Sequence, residues 1–229
     1  MARAFLEVAE RTGAGLVTVG NLYGYGRVDG PITPQAPVRP AGVKGQVRAR
    51  MWADALAAHT AGRVRATELR ASDYFGPGAS AGMSMANDYV IGPAVRGRRT
   101  VRLVVGVPDA PHSWTYLPDI GALAARLATS EEGWGEVWHV PSAPPRTLRE
   151  LATGAAELAG DEPPRVVRMP RAAMWVARLS PLVRELDETS HQFERPFVLD
   201  ARRTGEVFGL EATPWRAALA ATVEALKAR

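Results

Sequence analysis

Residues 15–26 read "GLVTVGNLYGYG", an apolar, Thr-containing run that breaks into Asn, Tyr and alternating Gly. Val and Thr suit a pleated, half-buried strand, and the Asn and Gly that follow mark its end. A strand that empties into a Gly-rich, polar-tipped loop is where open α/β sheets place ligand chemistry; the alternative is an ordinary turn.

Working outward, Ala4, Phe5, Val8 and Ala9 recur at helical spacing and stop at Gly13, which predicts a helix over 2–12. Downstream, four Pro between Asp29 and Gly42 forbid a regular element and predict a long structured loop. "VKGQVRARMWADALAAHTAG" (43–62) then sets Val43, Val47, Met51 and Ala55 on one helical stripe, flanked by Trp52 and Leu56. "RVRATELRAS" (63–72) reads as a strand and "DYFGPGAS" (73–80) as the loop leaving it. This alternation of helix, strand and loop argues for a parallel sheet covered by helices, with ligand loops at the carboxyl ends of its strands.

Beyond residue 80 the pattern predicts a helix near 82–92, a strand at "TVRLVVG" (100–106), an extended piece at "HSWTYL" (112–117), a helix at "DIGALAARLA" (119–128) and a strand at "EVWHVP" (136–141). "TLRELATGAAELAG" (147–160) is a helix whose Thr147 and Glu150 form a capping box. "PRVVRMP" (164–170) is a strand, and "RAAMWVARLSPLVREL" (171–186) a helix interrupted near Pro181. "TPWRAALAATVEALKAR" (213–229) closes the chain as a helix with Thr213 as N-cap and Pro214 in its first turn.

With 229 residues, 46% of them hydrophobic, the chain can bury one sizeable core, or one core with a smaller lobe. It has no Cys, which removes disulfides, thiolate nucleophiles and Cys-based metal sites and fits a cytoplasmic, reducing setting. No apolar run is long enough to span a membrane, and Glu7, Glu10 and Arg11 interrupt what would be the centre of a signal peptide. The 28 basic and 24 acidic residues are interspersed, which is no nucleic-acid footprint. "RGRR" (96–99) reads as a solvated loop sooner than a phosphate patch. His59, His112, His139 and His191 show no metal spacing, so no metal site is expected.

Several segments carry a resemblance to a known family. "VTVGNLYGYG" is similar to a strand running through a Ser/Thr tip into a VYG loop, and "PVRPAGVKGQVRARM" to the segment that holds a YxxxK motif. "LRASDYFGPG" (69–78) resembles an LRxxNxxGPG loop and "TYLPDIGALAARLA" an xxVxDxAxA strand and helix, while "FVLDARRTGEVFGLEATPW" resembles the same family's C-terminal segment. Together they resemble the NAD-dependent epimerase/dehydratase family of extended or atypical short-chain dehydrogenases/reductases. The resemblance implies an α/β fold, an incomplete Rossmann-type doubly wound parallel sheet with a small mixed α/β substrate lobe. It assigns 1–80 to the later half of the nucleotide-binding domain, with the strand near 136–141 returning to it, and 81–229 mainly to the lobe. It implies that the family's first, GxxGxxG-bearing half is not part of this chain.

What the family implies about chemistry is NAD- or NADP-linked epimerisation, dehydration or reduction of a nucleotide sugar or related hydroxyl or carbonyl substrate. The alternative is a non-catalytic NAD(P)-binding sensor or scaffold, or a truncated inactive member. Lys44 stands for the family's Lys, but the Tyr position falls at Pro40 or Ala41 and the strand-tip Ser/Thr position at Val19, beside Thr18 and Gly20. By the same resemblance Asn21, Tyr23, Lys44 and Ser72 are cofactor-facing candidates, and Lys44, Asp73 and Tyr74 the catalytic ones. Asp73 occupies the place of the substrate-contacting Asn, while Tyr74 and Tyr25 supply the nearest hydroxyls, and Asp119 is expected to cap the helix that follows it. The family also implies a small-molecule substrate and leaves open a homodimer through residues 43–61.

Overall fold

A computed structural model describes residues 2–79, 82–103, 106–169 and 188–228. The helix expected at 171–186 lies outside the described residues. The chain folds into two compact units: the first is residues 1–72, 118–141 and 199–211, the second 73–117, 142–198 and 212–229. The units divide at Ser72 and Asp73, and the first includes 118–141 and 199–211 from the later chain.

In the first unit, helix α1 (Ala2–Thr12) precedes strand β1 (Leu16–Asn21), which ends in a 3₁₀ turn (Leu22–Tyr25). Helix α2 (Val43–Thr60) leads into strand β2 (Ala66–Ala71), every residue of which is buried. β1 and β2 pair in parallel with Asn21 opposite Ala71, and the later strand Val137–His139 joins β2, also in parallel, giving the order β1, β2, then that strand. Parallel pairs need crossovers, and the Pro-rich segment with α2 supplies the first of them. Helix Leu117–Thr129 begins before Asp119, so Asp119 lies within its first turn and is not a residue that precedes and caps it.

The apolar stripes of α1 and α2 do not behave as core. Phe5 is 61% exposed and Val43 68%, and Val8 and Val47 are more than half exposed. What these helices bury is Ala9, Gly45, Ala55 and Ala58, the small residues on the face that approaches the sheet.

The second unit holds β3 (Asp73–Phe75), a helical stretch formed by a π turn at Asn87–Ile91 and α3 (Gly92–Val95), β4 (Thr100–Leu103) and β5 (Trp114–Tyr116). The helix expected at 82–92 is thus shifted toward its C-terminal side. With the first-unit helix Leu117–Thr129 as α4 and Val137–His139 as β6, the later elements are α5 (Leu148–Ala159), β7 (Arg165–Arg168), α6 (Arg202–Phe208, first unit) and α7 (Trp215–Lys227). β3 pairs with β5 and β4 with β7, both in parallel.

The second unit's core gathers Phe75, Ile91, Trp114, Leu151, Phe193 and Leu219 around α5. Thr147 caps α5 reciprocally with Glu150, and Gly160 ends it in the left-handed conformation. α7 starts one residue later than expected, with Pro214 and not Thr213 at the N-cap and no side-chain cap. Met83 is 65% exposed, whereas Met85 packs against this core.

Candidate functional site

The parallel register of β1 and β2 brings both carboxyl ends to one edge of the first unit's sheet, and the sequence-predicted residues gather there. Asn21 closes β1, and its side-chain Oδ1 accepts from the Tyr23 amide at 3.2 Å, capping the turn at 22–25. The start of α2, with half-buried Lys44, packs on that turn. Ser72 follows β2 and is buried. Asn21, Tyr23, Lys44 and Ser72 therefore share one end of one sheet. Asp73 and Tyr74 begin β3 and belong to the second unit.

The Gly that crowd the opening stretch have a steric reason at this end. Gly26 turns the chain with φ of 66°, and a Cβ there would run into the Arg39 carbonyl. At Gly20 a Cβ would collide with the Glu68 carboxylate. Thr18 donates its hydroxyl proton to the Thr67 carbonyl at 3.2 Å, so the hydroxyl nearest Val19 already serves the strand pair.

Beneath this edge lies a buried polar chain that the sequence did not reveal. Glu68 and Arg70, both 4% exposed, project from β2 on the same side because strand side chains alternate. Arg70 donates twice to Glu68 Oε2, at 3.0 and 2.8 Å. Burial pushes the Glu68 carboxyl above the usual range, and the Arg70 charge opposes that rise. The Arg70 guanidinium sits 4.8 Å from the Tyr25 ring centroid, a cation–π contact.

The Tyr25 hydroxyl lies 2.9 Å from His139 Nε2, and His139 Nδ1 lies 3.0 Å from the Asp200 carbonyl oxygen. A carbonyl can only accept, so Nδ1 carries a proton, while the Tyr25 hydroxyl also reaches the Pro34 carbonyl at 3.3 Å. Burial lowers the His139 pKa to about 4, which favours the neutral ring, whose Nε2 then accepts from Tyr25. It also raises the Tyr25 phenol, the reverse of what an acid/base Tyr needs.

The second unit has its own pair. His112 Nε2 lies 3.0 Å from Asp73 Oδ2 and His112 Nδ1 lies 3.2 Å from the Gln192 carbonyl oxygen. The ring stacks on Phe193 at 4.6 Å and tilts against Trp114 at 4.4 Å. Both ring nitrogens face acceptors, so both bonds form only when the pair holds one proton more than a neutral imidazole beside an ionised carboxylate. Tyr74 lies beside Asp73 on β3; its phenol is raised by burial and by the charges of Asp88 and Asp73.

The sequence marks Tyr25 as a substitute hydroxyl but does not pair it with His139, because residues that meet across distant segments leave no spacing signal. Among the described residues no three His, Asp or Glu side chains gather as a metal site requires, and no helix is long and apolar enough to cross a membrane.

No protein-family model matches the chain, and no curated protein matches its sequence. Solved structures do match its fold. The dTDP-glucose 4,6-dehydratase of Bacillus anthracis, in complex with NAD, aligns with a TM-score of 0.77 at 17% identity, covering 100% of this chain and 67% of its own. The UDP-glucose 4-epimerase of Thermus thermophilus, in complex with NAD, aligns at 0.74 and 18%, covering 99% and 68%. The RMD protein of Pseudomonas aeruginosa, complexed with NADPH, aligns at 0.76 and 17%, covering 100% and 71%. Against the DesIV dTDP-glucose 4,6-dehydratase of Streptomyces venezuelae the chain spans 64% of the neighbour's length. The chain is thus α/β, with parallel sheets and helices arranged as in these Rossmann-type proteins.

Proposed function

We propose that the chain is an NAD(P)-dependent protein of the epimerase/dehydratase type, whose substrate is a nucleotide sugar or a related hydroxyl or carbonyl compound. The observation that carries this reading is the gathering of Asn21, Tyr23 and Lys44 at the carboxyl end of the β1–β2 sheet, in a fold whose solved neighbours hold NAD or NADPH.

The donor set fits the ribose end of a nicotinamide nucleotide: an ammonium at Lys44, a phenol at Tyr23 and an amide at Asn21 that already fixes the turn. Lys44 would hold the ribose hydroxyls, and the turn at 22–25 would shield the ring from water. When bound, the nicotinamide supplies the hydride donor or acceptor. Proton movement falls to this chain's carboxylates and phenols, for which the proposal names Asp73, paired with His112, and Tyr74.

Fluorescence titration with NADH and NADPH tests the reading. Saturable binding is expected, weakened roughly tenfold by Lys44→Ala, a loss of about 1.4 kcal/mol. Absence of saturable binding to the folded chain would overturn it.

One observation favours a second reading, a non-catalytic NAD(P)-binding sensor or scaffold. Burial raises the phenols of both Tyr25 and Tyr74, so neither is the low-pKa hydroxyl that the family's proton transfer uses. Incubation with NAD and dTDP-glucose or UDP-glucose separates the two: turnover supports the enzyme, binding without turnover the sensor.

A further inference from the structure

Residues 27–42 form a strap that leaves the turn at 22–25 and returns to the start of α2, so Tyr23 and Lys44 stand at its two ends. Pro31, Pro34, Pro37 and Pro40 fix φ along it, which makes this irregular segment stiff.

Three contacts tie the strap down within the first unit. Near its start, Ile32 is 1% exposed and bridges Leu199 in parallel, and the Asp200 amide donates to the Ile32 carbonyl at 2.8 Å. At its end, Arg39 and Pro40 pack on two glycines: a Cβ on Gly26 would meet the Arg39 carbonyl, and one on Gly45 would meet Pro40 and the Tyr23 carbonyl. The third contact is the Tyr25 hydroxyl, which reaches the Pro34 carbonyl at 3.3 Å.

This third contact has a competitor. A phenol has one proton to donate, and the Tyr25 hydroxyl has two acceptors in reach, the Pro34 carbonyl and, at 2.9 Å, His139 Nε2. Arg70, whose charge faces the hydroxyl, offers only donors and cannot take that proton. His139 Nδ1 is committed to the Asp200 carbonyl, so a neutral His139 presents Nε2 as the acceptor. The shorter distance favours His139 over the strap.

We propose that Tyr25 is a latch for this strap, that His139 holds the latch partly open by competing for the hydroxyl proton, and that the pair thereby sets how firmly Lys44 is held beside Tyr23. Both are positioning residues, fully buried and acting through the strap. The latch itself does not depend on nucleotide binding; its effect at Lys44 rests on the nucleotide-binding reading proposed above.

The test is amide hydrogen exchange by NMR at neutral pH, read at Ala36, whose amide donates to the Thr33 carbonyl across Pro34. His139→Asn keeps a donor toward the Asp200 carbonyl and removes the Nε2 acceptor, so the Tyr25 proton passes to Pro34 and Ala36 exchange should slow at least about threefold. Tyr25→Phe should speed it, and in the double variant the slowing should vanish. Residues that serve only packing would speed exchange in both single variants. That outcome overturns the proposal, as do unchanged exchange in a folded His139→Asn chain and slowing that persists in the double variant. Should His139→Asn fail to fold, Tyr25→Phe decides: faster Ala36 exchange supports the latch, and unchanged exchange overturns it.

NADH titration reads the far end of the strap. His139→Asn should bind at least about twofold more tightly than the wild-type chain, and Tyr25→Phe more weakly. Equal affinity in all three overturns the effect at Lys44. Absence of NADH binding to the wild-type chain counts against the nucleotide reading alone, and the exchange result then decides the latch.

Discussion

Each unit buries a histidine in a polar cluster, and the two are held in opposite ways. His139, in the first unit, faces one acceptor and one donor, the Asp200 carbonyl and the Tyr25 hydroxyl, so its bonds are complete when it is neutral. His112, in the second, faces two acceptors, the Asp73 carboxylate and the Gln192 carbonyl, so its bonds are complete only when the pair carries an extra proton. The same side chain meets a hydroxyl and a carbonyl in one unit and a carboxylate and a carbonyl in the other. The chemistry of a His is set by what each ring nitrogen meets, and burial alone decides little.

The comparison breaks most visibly at the charges beneath His139. Arg70→Met leaves the Glu68 carboxylate buried without its partner, and should cost roughly 3–5 kcal/mol, read as a lower denaturation midpoint in urea. A change below about 1 kcal/mol would mean that the ion pair is solvated and that the first unit's cluster is not the rigid one.

Next in size is the acid response of His139. Its folded pKa of about 4 lies below the ordinary value of 6.5, so between these values the unfolded chain binds the proton first. The contribution is complete above about pH 6.5 and is lost as pH falls toward 4, by about 3 kcal/mol in all. Glu68 acts in the opposite sense: its raised pKa makes the folded state take up a proton more readily as pH falls. Asp200, lowered chiefly by its bonds from Arg202, loses stability on acidification. The His139 part is isolated by comparing the unfolding free energy of the wild-type chain and His139→Gln from pH 7 to 4.5. The gap between them should narrow as pH falls, and a constant gap would show that His139 does not titrate with unfolding.

The smallest effect is expected at the contact of His112 with Asp73. Asp73→Asn keeps the shape and offers His112 an amide oxygen, so the cost should be about 1 kcal/mol. The readout is the denaturation midpoint in urea, and an unchanged midpoint would show that the His112–Asp73 contact adds nothing to the second unit's stability.

Much of the architecture was legible in short stretches. The Thr147 and Glu150 spacing announced its capping box because a cap is built within one helical turn. "GLVTVGN" and "ATELRA" announced parallel strands through their composition and the helix between them. The same local logic misplaced Thr213, since helix α7 begins after Pro214, and it placed Val43 and Val47 on one helical stripe without telling whether a partner covers it. At the candidate site, Asn21, Tyr23, Lys44 and Ser72 were readable from the family pattern. Tyr25 with His139, and Asp73 with His112, were not, because neither pair lies within one element.

The amino-acid order by itself determined the alternation of helices and strands, the Gly positions at the end of β1, and the absence of Cys chemistry. These follow from backbone conformation and composition, which act over a few residues. Only the tertiary structure decided that Glu68 lies under Gly20, that His139 is buried between Tyr25 and the Asp200 carbonyl, and that His112 meets Asp73. Those properties are set by neighbours that come from far along the chain, where partner atoms and burial fix the protonation and exposure of each group.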